Sequence, residues 1–204
     1  MNMISEYNIG FYKPYGPLIL ECQCPEDVIS KINSYVDDMS EEDKKICSSK
    51  YTDNVDFPNL LSRDFEVVYF KPKDAFDTGL SFFLLQIAKS YTRQIGVFDK
   101  QIIFPNSTFS DQLLDAWVNR YYKNDYTPPH DHRGDMSGII ILDLPDDFTE
   151  IEKSNLEFIW NNEHYRPIQE VGKTFLFPSH LLHWVTKQIN IKERRTLSFN
   201  LFLH

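Results

Sequence analysis

The first half of the chain carries apolar residues at helical spacing in two segments. We predict one helix over 26–39, opened by Pro25, and a second helix over 76–95. The apolar positions are Val28, Ile29, Ile32 and Val36 in the first segment, and Leu80, Phe83, Leu84, Ile87, Ala88 and Tyr91 in the second. Because an apolar stripe of this kind packs on a core, both helices are predicted to support a hydrophobic interior.

The second half changes to the two-residue alternation of β-strands. We predict strands over 117–122, 137–144, 156–161, 173–177, 183–189 and 194–203, and a turn over 125–129. Two earlier strands are predicted over 18–20 and 65–70, and the charged stretch 40–59 is predicted to be a surface loop. Regularly spaced strands with turn residues between them indicate a sandwich or a small barrel.

Helices that come first and strands that follow indicate an α+β fold. We predict a single domain over 1–204, in which 111–204 form a jelly roll, the double-stranded β-helix of cupin-like proteins. The helices and strands of 1–110 would support that core. A chain of 204 residues with 42% hydrophobic and 15% aromatic residues is large and apolar enough to bury it.

Charge and cysteine content limit the partners and the compartment. The 21 basic and 30 acidic residues give a net charge of −9, which argues against general binding to duplex nucleic acid. Neither a signal peptide nor an apolar run of about 20 residues is visible, so we expect no membrane association. Cys22, Cys24 and Cys47 form the sparse, odd-numbered set of a reducing compartment. We expect a cytoplasmic protein whose substrate is a small molecule or a peptide.

Two histidines follow the predicted turn at the start of the strand-rich half. Residues two apart on a strand point the same way, so His130 and His132 could converge on one metal ion. Prolines before the pair and Gly134 after it are typical of a loop, in which side chains need not alternate as they do on a strand. In that case Asp131 or Asp135 could be a carboxylate ligand instead.

A further histidine for this site lies about fifty residues later. His183 begins a run of β-prone residues, whereas His180 lies in the turn after Pro178. We therefore favour His183 as the ligand, with His180 as the alternative. Imidazole nitrogens suit iron, and an ion that keeps open coordination positions can bind substrate and oxygen.

The last predicted strand carries two adjacent arginines that face opposite ways. Arg194 shares its side of the strand with Thr196 and Ser198, whereas Arg195 shares the other side with apolar residues that should pack on the helices. A guanidinium binds a carboxylate through two parallel hydrogen bonds. We predict that Arg194, with Arg195 as the alternative, binds a dicarboxylate cosubstrate near the metal.

Taken in order, these motifs resemble the 2-oxoglutarate/Fe(II) oxygenases of a group common in bacteria and phages, and more distantly the prolyl hydroxylases. The resemblance covers about the last ninety residues. It rests on the run from Trp117 through Tyr121, Asp125-Tyr126, His130-x-His132, Ser137-Gly138, Phe177-Pro178-Ser179, His183, and Arg194-x-Thr196-x-Ser198-Phe199-Asn200. Better known relatives carry an acidic residue where this chain has His132. If the chain is encoded by a phage, the expected compartment is the host cytoplasm.

The resemblance implies a set of cofactors and roles. His130 and His183 would be catalytic ligands of Fe(II), with His132 or a neighbouring aspartate as the third. Arg194 would bind the distal carboxylate of 2-oxoglutarate. The residues that would assist it are Thr196, Ser198, Tyr121 and Asn119. With O2, such an enzyme hydroxylates its substrate and releases succinate and CO2.

Two other functions remain open from the residues. One is a cupin-like metal-binding protein without oxygenase activity, such as a hydrolase, an isomerase or a small-molecule sensor. The other is a barrel that serves as an interaction module. Only the oxygenase gives Arg194 a dicarboxylate to bind.

Overall fold

Helices and strands follow one another along the chain largely as the hydrophobic pattern predicts. The computed structural model describes residues 9–12, 16–50, 66–107 and 110–204. Its α-helices are α1 Glu26–Asp37, α2 Glu41–Cys47, α3 Pro72–Asp77 and α4 Leu80–Gln94. The strands are β1 Gly10–Tyr12, β2 Ile19–Gln23, β3 Ser48–Lys50, β4 Glu66–Tyr69, β5 Ile102–Ile103, β6 Ala116–Tyr121, β7 Thr127–His130, β8 Met136–Asp143, β9 Leu156–Trp160, β10 Glu163–Tyr165, β11 Lys173–Pro178, β12 Leu182–Val185 and β13 Arg194–Leu203.

The strands form two antiparallel sheets. The larger sheet has the order β1-β2-β11-β8-β13-β6-β4-β3, with β5 paired to β13, and the smaller sheet has the order β10-β9-β12-β7. Side chains from both sheets meet in one apolar cluster, in which Phe158 of the smaller sheet packs with Phe175 and Phe177 of the larger. Two facing sheets joined by such a cluster form the predicted jelly roll, and the α+β class is confirmed.

The helices cover the other face of the larger sheet. A second apolar cluster joins the buried sides of α1 and α4 to alternate residues of the central strands, among them Ile140, Leu176 and Leu197. The predicted apolar side of β13, with Phe199 and Leu201, lies in this cluster. The opposite side of β13 is thereby left to face the space between the sheets.

The prediction of one helix over 76–95 was wrong at its start. Two helices, α3 and α4, occupy this region, and Gly79 between them takes a φ of +83°. The left-handed backbone at Gly79 interrupts the helical hydrogen bonds, although apolar residues continue at similar spacing on both sides. The predicted core stripe of α4 is confirmed.

Other elements also differ from the predictions. The supposed loop over 40–59 contains α2 and β3, and its remainder lies outside the described residues. Ser40 accepts a hydrogen bond from the backbone N–H of Asp43 (3.1 Å), a helix cap that explains the start of α2. The predicted turn over 125–129 runs into β7, the strand predicted over 183–189 ends at Val185, and β1, β5 and β10 were missed. No described helix is long and apolar enough to cross a membrane.

Candidate metal centre

The two strands of the smaller sheet that bear histidines are direct neighbours. His130 ends β7 and lies opposite His183 of β12 in the strand register. His132 follows two residues after β7, and its backbone N–H donates to the carbonyl of Ser179 (3.0 Å). One potential ligand nitrogen from each of the three rings lies within 4.8 Å of the others. A single ion could therefore contact all three side chains.

Backbone carbonyls set the tautomer of two of these histidines. The Nδ1 of His130 lies 2.8 Å from the carbonyl oxygen of Pro128, and the Nδ1 of His183 lies 2.9 Å from that of Leu181. A carbonyl oxygen only accepts, so Nδ1 carries the proton in both rings and Nε2 keeps its lone pair. A ligand histidine commonly has this arrangement, in which the ring nitrogen away from the metal donates to a carbonyl.

Burial keeps the three imidazoles neutral. It lowers the pKa of His130 and lowers the pKa of His183 well below its usual value. It also lowers the pKa of His132, and the neighbouring His130 lowers it further, to about 3, because two positive charges would repel each other. A protonated imidazole cannot bind a metal. At neutral pH, all three lone pairs are therefore available to an ion.

Aromatic side chains surround the cluster on the inside of the jelly roll. The ring centroids of Phe177 and Phe158 lie 4.9 and 6.1 Å from that of His183, and the Trp117 ring lies 5.8 Å from His132. These apolar walls limit the access of water to the histidines on this side. Electrostatic interactions within the site are stronger in consequence.

The alternative ligand residues lie apart from the three rings. Asp131 and Asp135 are exposed, and the Asp135 carboxylate accepts a hydrogen bond from the backbone N–H of Leu203 (2.8 Å). His180 is exposed and has its ring 6.1 Å from Trp160. Among the described residues, the one group of three or more potential ligands consists of histidines only.

Arg194 is the largest fully buried side chain of the described residues. It lies opposite Tyr121 in the β6–β13 register, and its guanidinium carbon is 5.0 Å from the centre of the Tyr121 ring. Nη2 donates to the side-chain oxygen of Gln169, whereas Nε and Nη1 have no hydrogen-bond partner among the described residues. Burial lowers the pKa of Arg194 to about 10, partly offset by Tyr121. The guanidinium thus stays charged at neutral pH, with donors to spare.

The other predicted cosubstrate residues lie on the same side of β6 and β13. Asn119 donates from Nδ2 to Oγ of Ser198 (2.9 Å) and lies opposite Thr196 in the register. The Tyr121 hydroxyl is 2.8 Å from that of Thr127 on β7, the strand of His130. The contact between Tyr121 and Thr127 therefore joins the strand that faces Arg194 to the strand that carries His130.

Arg195 points to the helices instead. Its guanidinium donates to Asp37 at the end of α1 (2.6 Å) and to Glu193. Both contacts lie on the apolar, helix-facing side of the larger sheet, so Arg195 has anionic partners already. Of the two arginines, Arg194 is the one that the fold turns toward the inside of the jelly roll.

Sequence reasoning missed two buried polar residues near these groups. Gln169, in the loop before β11, is the hydrogen-bond partner of Arg194. Glu157 of β9 is fully buried and binds His164, Arg166 (2.9 Å) and the indole of Trp184 (2.6 Å). Trp184 belongs to this ion-pair cluster, whereas the adjacent His183 faces inward.

Part of the chain resembles known proteins. Residues 115–200, less than half of the chain, match the family described as "Putative 2OG-Fe(II) oxygenase". This segment is similar in sequence to the 2OG-Fe(II) oxygenases. The match indicates an oxygenase enzyme, and the family implies Fe(II), 2-oxoglutarate and O2 as its cofactors. No curated protein matches the chain in sequence.

Solved structures support the jelly-roll fold of this segment and the helices that pack on it. A prolyl-4-hydroxylase from Pseudomonas putida superposes with a TM-score of 0.54 at 10% identity, over 95% of this chain and 91% of its own. A prolyl hydroxylase from Trichoplax adhaerens, in complex with a hypoxia inducible factor peptide fragment, gives a TM-score of 0.63 at 10% identity. The superposition covers 90% of this chain and 83% of the hydroxylase. The non-heme, α-ketoglutarate-dependent epimerase SnoN from nogalamycin biosynthesis gives a TM-score of 0.55 at 12% identity. The superposition covers 87% of this chain and 75% of the epimerase. At these identities the likeness establishes the fold.

Proposed function

We propose that the protein is a 2-oxoglutarate- and Fe(II)-dependent dioxygenase that hydroxylates a peptide or a small molecule and releases succinate and CO2. The observation that carries this proposal is the pairing of two features inside one jelly roll. One is a set of three neutral imidazoles, and the other is a buried arginine with two nitrogens that lack a hydrogen-bond partner in the described ranges of the chain. The first suits a transition metal, and the second suits a carboxylate.

In this proposal the metal is held by His130, His132 and His183. Since Nδ1 of His130 and of His183 faces a backbone carbonyl, Nε2 would be the atom that holds iron in both. His132 occupies the position where better known relatives carry an acidic residue. A third imidazole leaves one negative charge fewer next to the iron, so a bound carboxylate cosubstrate contributes more of the compensation. Asp131 or Asp135 would serve as a ligand only after a change in the local backbone.

The cosubstrate is bound by Arg194 through its distal carboxylate. Thr196 or Ser198 supplies a hydroxyl on the same side of β13, and Asn119 and Tyr121 line the adjacent strand. Burying a guanidinium without an anionic partner is unfavourable, so a carboxylate that enters this site gains a charge-assisted bond with little competition from water. Bound Fe(II) and 2-oxoglutarate would couple decarboxylation to the transfer of one oxygen atom of O2 to a C–H bond.

The protein's own contribution is positioning and exclusion of water. The strand register places His130 against His183, and the aromatic rings of Phe158 and Phe177 close the inner side. Trp117, next to His132, is a candidate contact for the substrate because its ring borders the histidine cluster and is half-buried. These walls direct the reactive site toward a substrate group rather than toward solvent.

The second candidate is a cupin-like metal-binding protein without oxygenase activity, such as a hydrolase, an isomerase or a sensor. It is favoured by the all-histidine ligand set, which also suits zinc. It leaves the charge and the free donors of Arg194 without a role. We therefore rank it second.

An anaerobic titration separates the two. The apo-protein is titrated with Fe(II) and then with 2-oxoglutarate, and the visible spectrum is followed for the weak charge-transfer band of the chelate. We expect the band, and succinate in the aerobic mixture. Metal binding without the band and without succinate would favour the second candidate, and absence of metal binding would contradict both.

A further inference from the structure

The buried partner of Arg194 is an amide and not a carboxylate. Gln169 is fully buried and accepts a hydrogen bond from Nη2 of Arg194 through its side-chain oxygen. None of the ion pairs among the described residues includes Arg194, and Tyr121 is the side chain that acts on its charge. The guanidinium is therefore held in place without being neutralised.

The orientation of the Gln169 amide is fixed from its other end. Nε2 donates to the backbone oxygen of Lys153 (3.2 Å) and to Oδ1 of Asn155 (2.6 Å). The backbone oxygen of Lys153 can only accept, so Nε2 must face it and the amide oxygen must face Arg194. The backbone N–H of Gln169 donates to the same Lys153 oxygen (2.8 Å). Three hydrogen bonds thus anchor a single acceptor against the arginine.

This arrangement leaves most of the donors of Arg194 available. A guanidinium has five N–H groups. Within the part of the chain that the structure describes, Nε and Nη1 have no hydrogen-bond partner, although the side chain is completely buried. A glutamate in place of Gln169 would form a buried ion pair and satisfy the charge within the protein. The neutral amide keeps the arginine in position while leaving its charge to a ligand.

We propose that Gln169 is a positioning residue for Arg194, which holds the guanidinium without cancelling its charge and so selects a 2-oxo acid with a distal carboxylate. This inference rests on the proposed function, in which Arg194 binds 2-oxoglutarate. Gln169 determines how strongly the arginine attracts the distal carboxylate. It does not touch the metal or the reacting atoms.

Two substitutions distinguish the effect of the hydrogen bond between Gln169 and Arg194 from the effect of the missing charge on Gln169. Gln169→Met keeps a side chain of similar volume and adds no charge, but it removes the acceptor. Gln169→Glu keeps an acceptor and adds the negative charge. Gln112→Glu, on an exposed residue outside the site, is the matched control for the change in net charge.

The measurement is anaerobic isothermal titration of the Fe(II)-loaded protein with 2-oxoglutarate, and with 2-oxobutyrate, which lacks the distal carboxylate. We expect Gln169→Glu to weaken 2-oxoglutarate binding by at least about tenfold, the loss of one charge-assisted bond. Gln169→Met should weaken it less. Neither 2-oxobutyrate binding nor the control variant should change. In steady-state assays, KM for 2-oxoglutarate should rise in Gln169→Glu while kcat stays close to that of the wild type.

Several results would overturn the inference. Unchanged 2-oxoglutarate binding in Gln169→Glu is one, and equal weakening for both 2-oxo acids is another, because the latter indicates a general loss of structure. If Gln169→Glu does not fold, Gln169→Met decides the question, and an unchanged dissociation constant overturns the positioning role. Failure of the wild-type protein to bind 2-oxoglutarate would instead contradict the proposed function itself.

Discussion

His130 and His183 lie directly opposite each other on β7 and β12, with their ring centroids 4.4 Å apart. Each ring directs Nδ1 to the carbonyl oxygen two residues before it in the chain. The same local geometry therefore occurs on two neighbouring strands. Backbone pairing, and not a mobile loop, sets the distance between these two imidazoles.

Replacing His183 by alanine should abolish metal binding. The variant loses a buried imidazole whose lone pair faces the other two rings, and we expect the Fe(II) dissociation constant to rise by more than about 100-fold, beyond the effect of changing a residue that only orients a ligand. Metal content after anaerobic loading and gel filtration measures this. His180→Ala is the matched control, since His180 is exposed and lies outside the cluster. Full iron occupancy in His183→Ala, with loss in His180→Ala, would transfer the ligand role to His180.

Replacing Arg194 by alanine should weaken 2-oxoglutarate binding and spare the metal. Two charge-assisted hydrogen bonds of about 1.5–3 kcal/mol each correspond to a loss of about 100-fold or more in affinity. The visible charge-transfer band, followed against 2-oxoglutarate concentration, gives the affinity, and Fe(II) binding is measured separately. Arg195→Lys serves as the control because Arg195 faces Asp37 on the helix side of the sheet. Unchanged cosubstrate affinity in Arg194→Ala would refute the assignment.

Replacing Gly138 by alanine should destabilise the jelly roll. A Cβ at this position would lie 2.2 Å from Cζ of Phe199 and 2.7 Å from the backbone oxygen of Phe175. Neither atom can move without disturbing a packed strand, so we expect a loss of about 3 kcal/mol in the free energy of unfolding. Urea denaturation provides the value. In the control Gly10→Ala, the nearest atom is 3.9 Å away, and stability should change by less than about 1 kcal/mol.

Stability should fall in acid through Glu193. The Glu193 carboxylate accepts bonds from Nε and Nη2 of Arg120 (both 2.7 Å) and from the Tyr122 hydroxyl (2.9 Å). Burial raises its pKa, but the bonds with Arg120 and Arg195 outweigh this and lower it from 4.5 to about 2. A lowered carboxylate pKa stabilises the fold above the unfolded-state pKa, and this contribution is lost as pH falls from 4.5 to about 2.

The test is urea denaturation of wild type and Glu193→Gln at several pH values. At pH 7 the variant should be less stable by about 2–3 kcal/mol, as expected when a largely buried pair loses one charge. The difference between the two proteins should shrink below pH 4.5. The substitution Glu42→Gln, at an exposed glutamate, should leave the profile unchanged. A difference that is constant across this range would show that the charge of Glu193 contributes nothing.

Strand alternation accounts for most of what could be predicted from the sequence. It assigned Arg194 and Thr196 to one side of β13 and Leu197 to the side that packs on the helices, as the structure has them. His130, His132 and His183 were identified from their residue type and their order in the chain. Few types of side chain bind iron, and the ligands of one ion must converge on a single point. Their assignment as ligands stays a prediction.

Other features depend on contacts between distant parts of the chain. Gln169 lies in a polar loop, and nothing near it in the sequence indicates a bond to Arg194. The burial of Glu157 likewise follows from His164 and Arg166 in the next strand and loop. The start of α2 had a local signal, Ser40 three residues before Asp43, which the high charge of the stretch obscured.

Because β13 carries two adjacent arginines, either register of this strand against β6 would turn one arginine to the inside of the jelly roll. If β13 slipped by one residue against β6, Arg195 would face the inside of the jelly roll in place of Arg194, and a guanidinium would still be there. Leu197, Phe199 and Leu201 would then leave the helices for the polar side. The burial of these leucines and the phenylalanine against the helices therefore fixes the register in which Arg194 faces the site. A polar substitution at one of these three positions would favour the register in which Arg195 faces it.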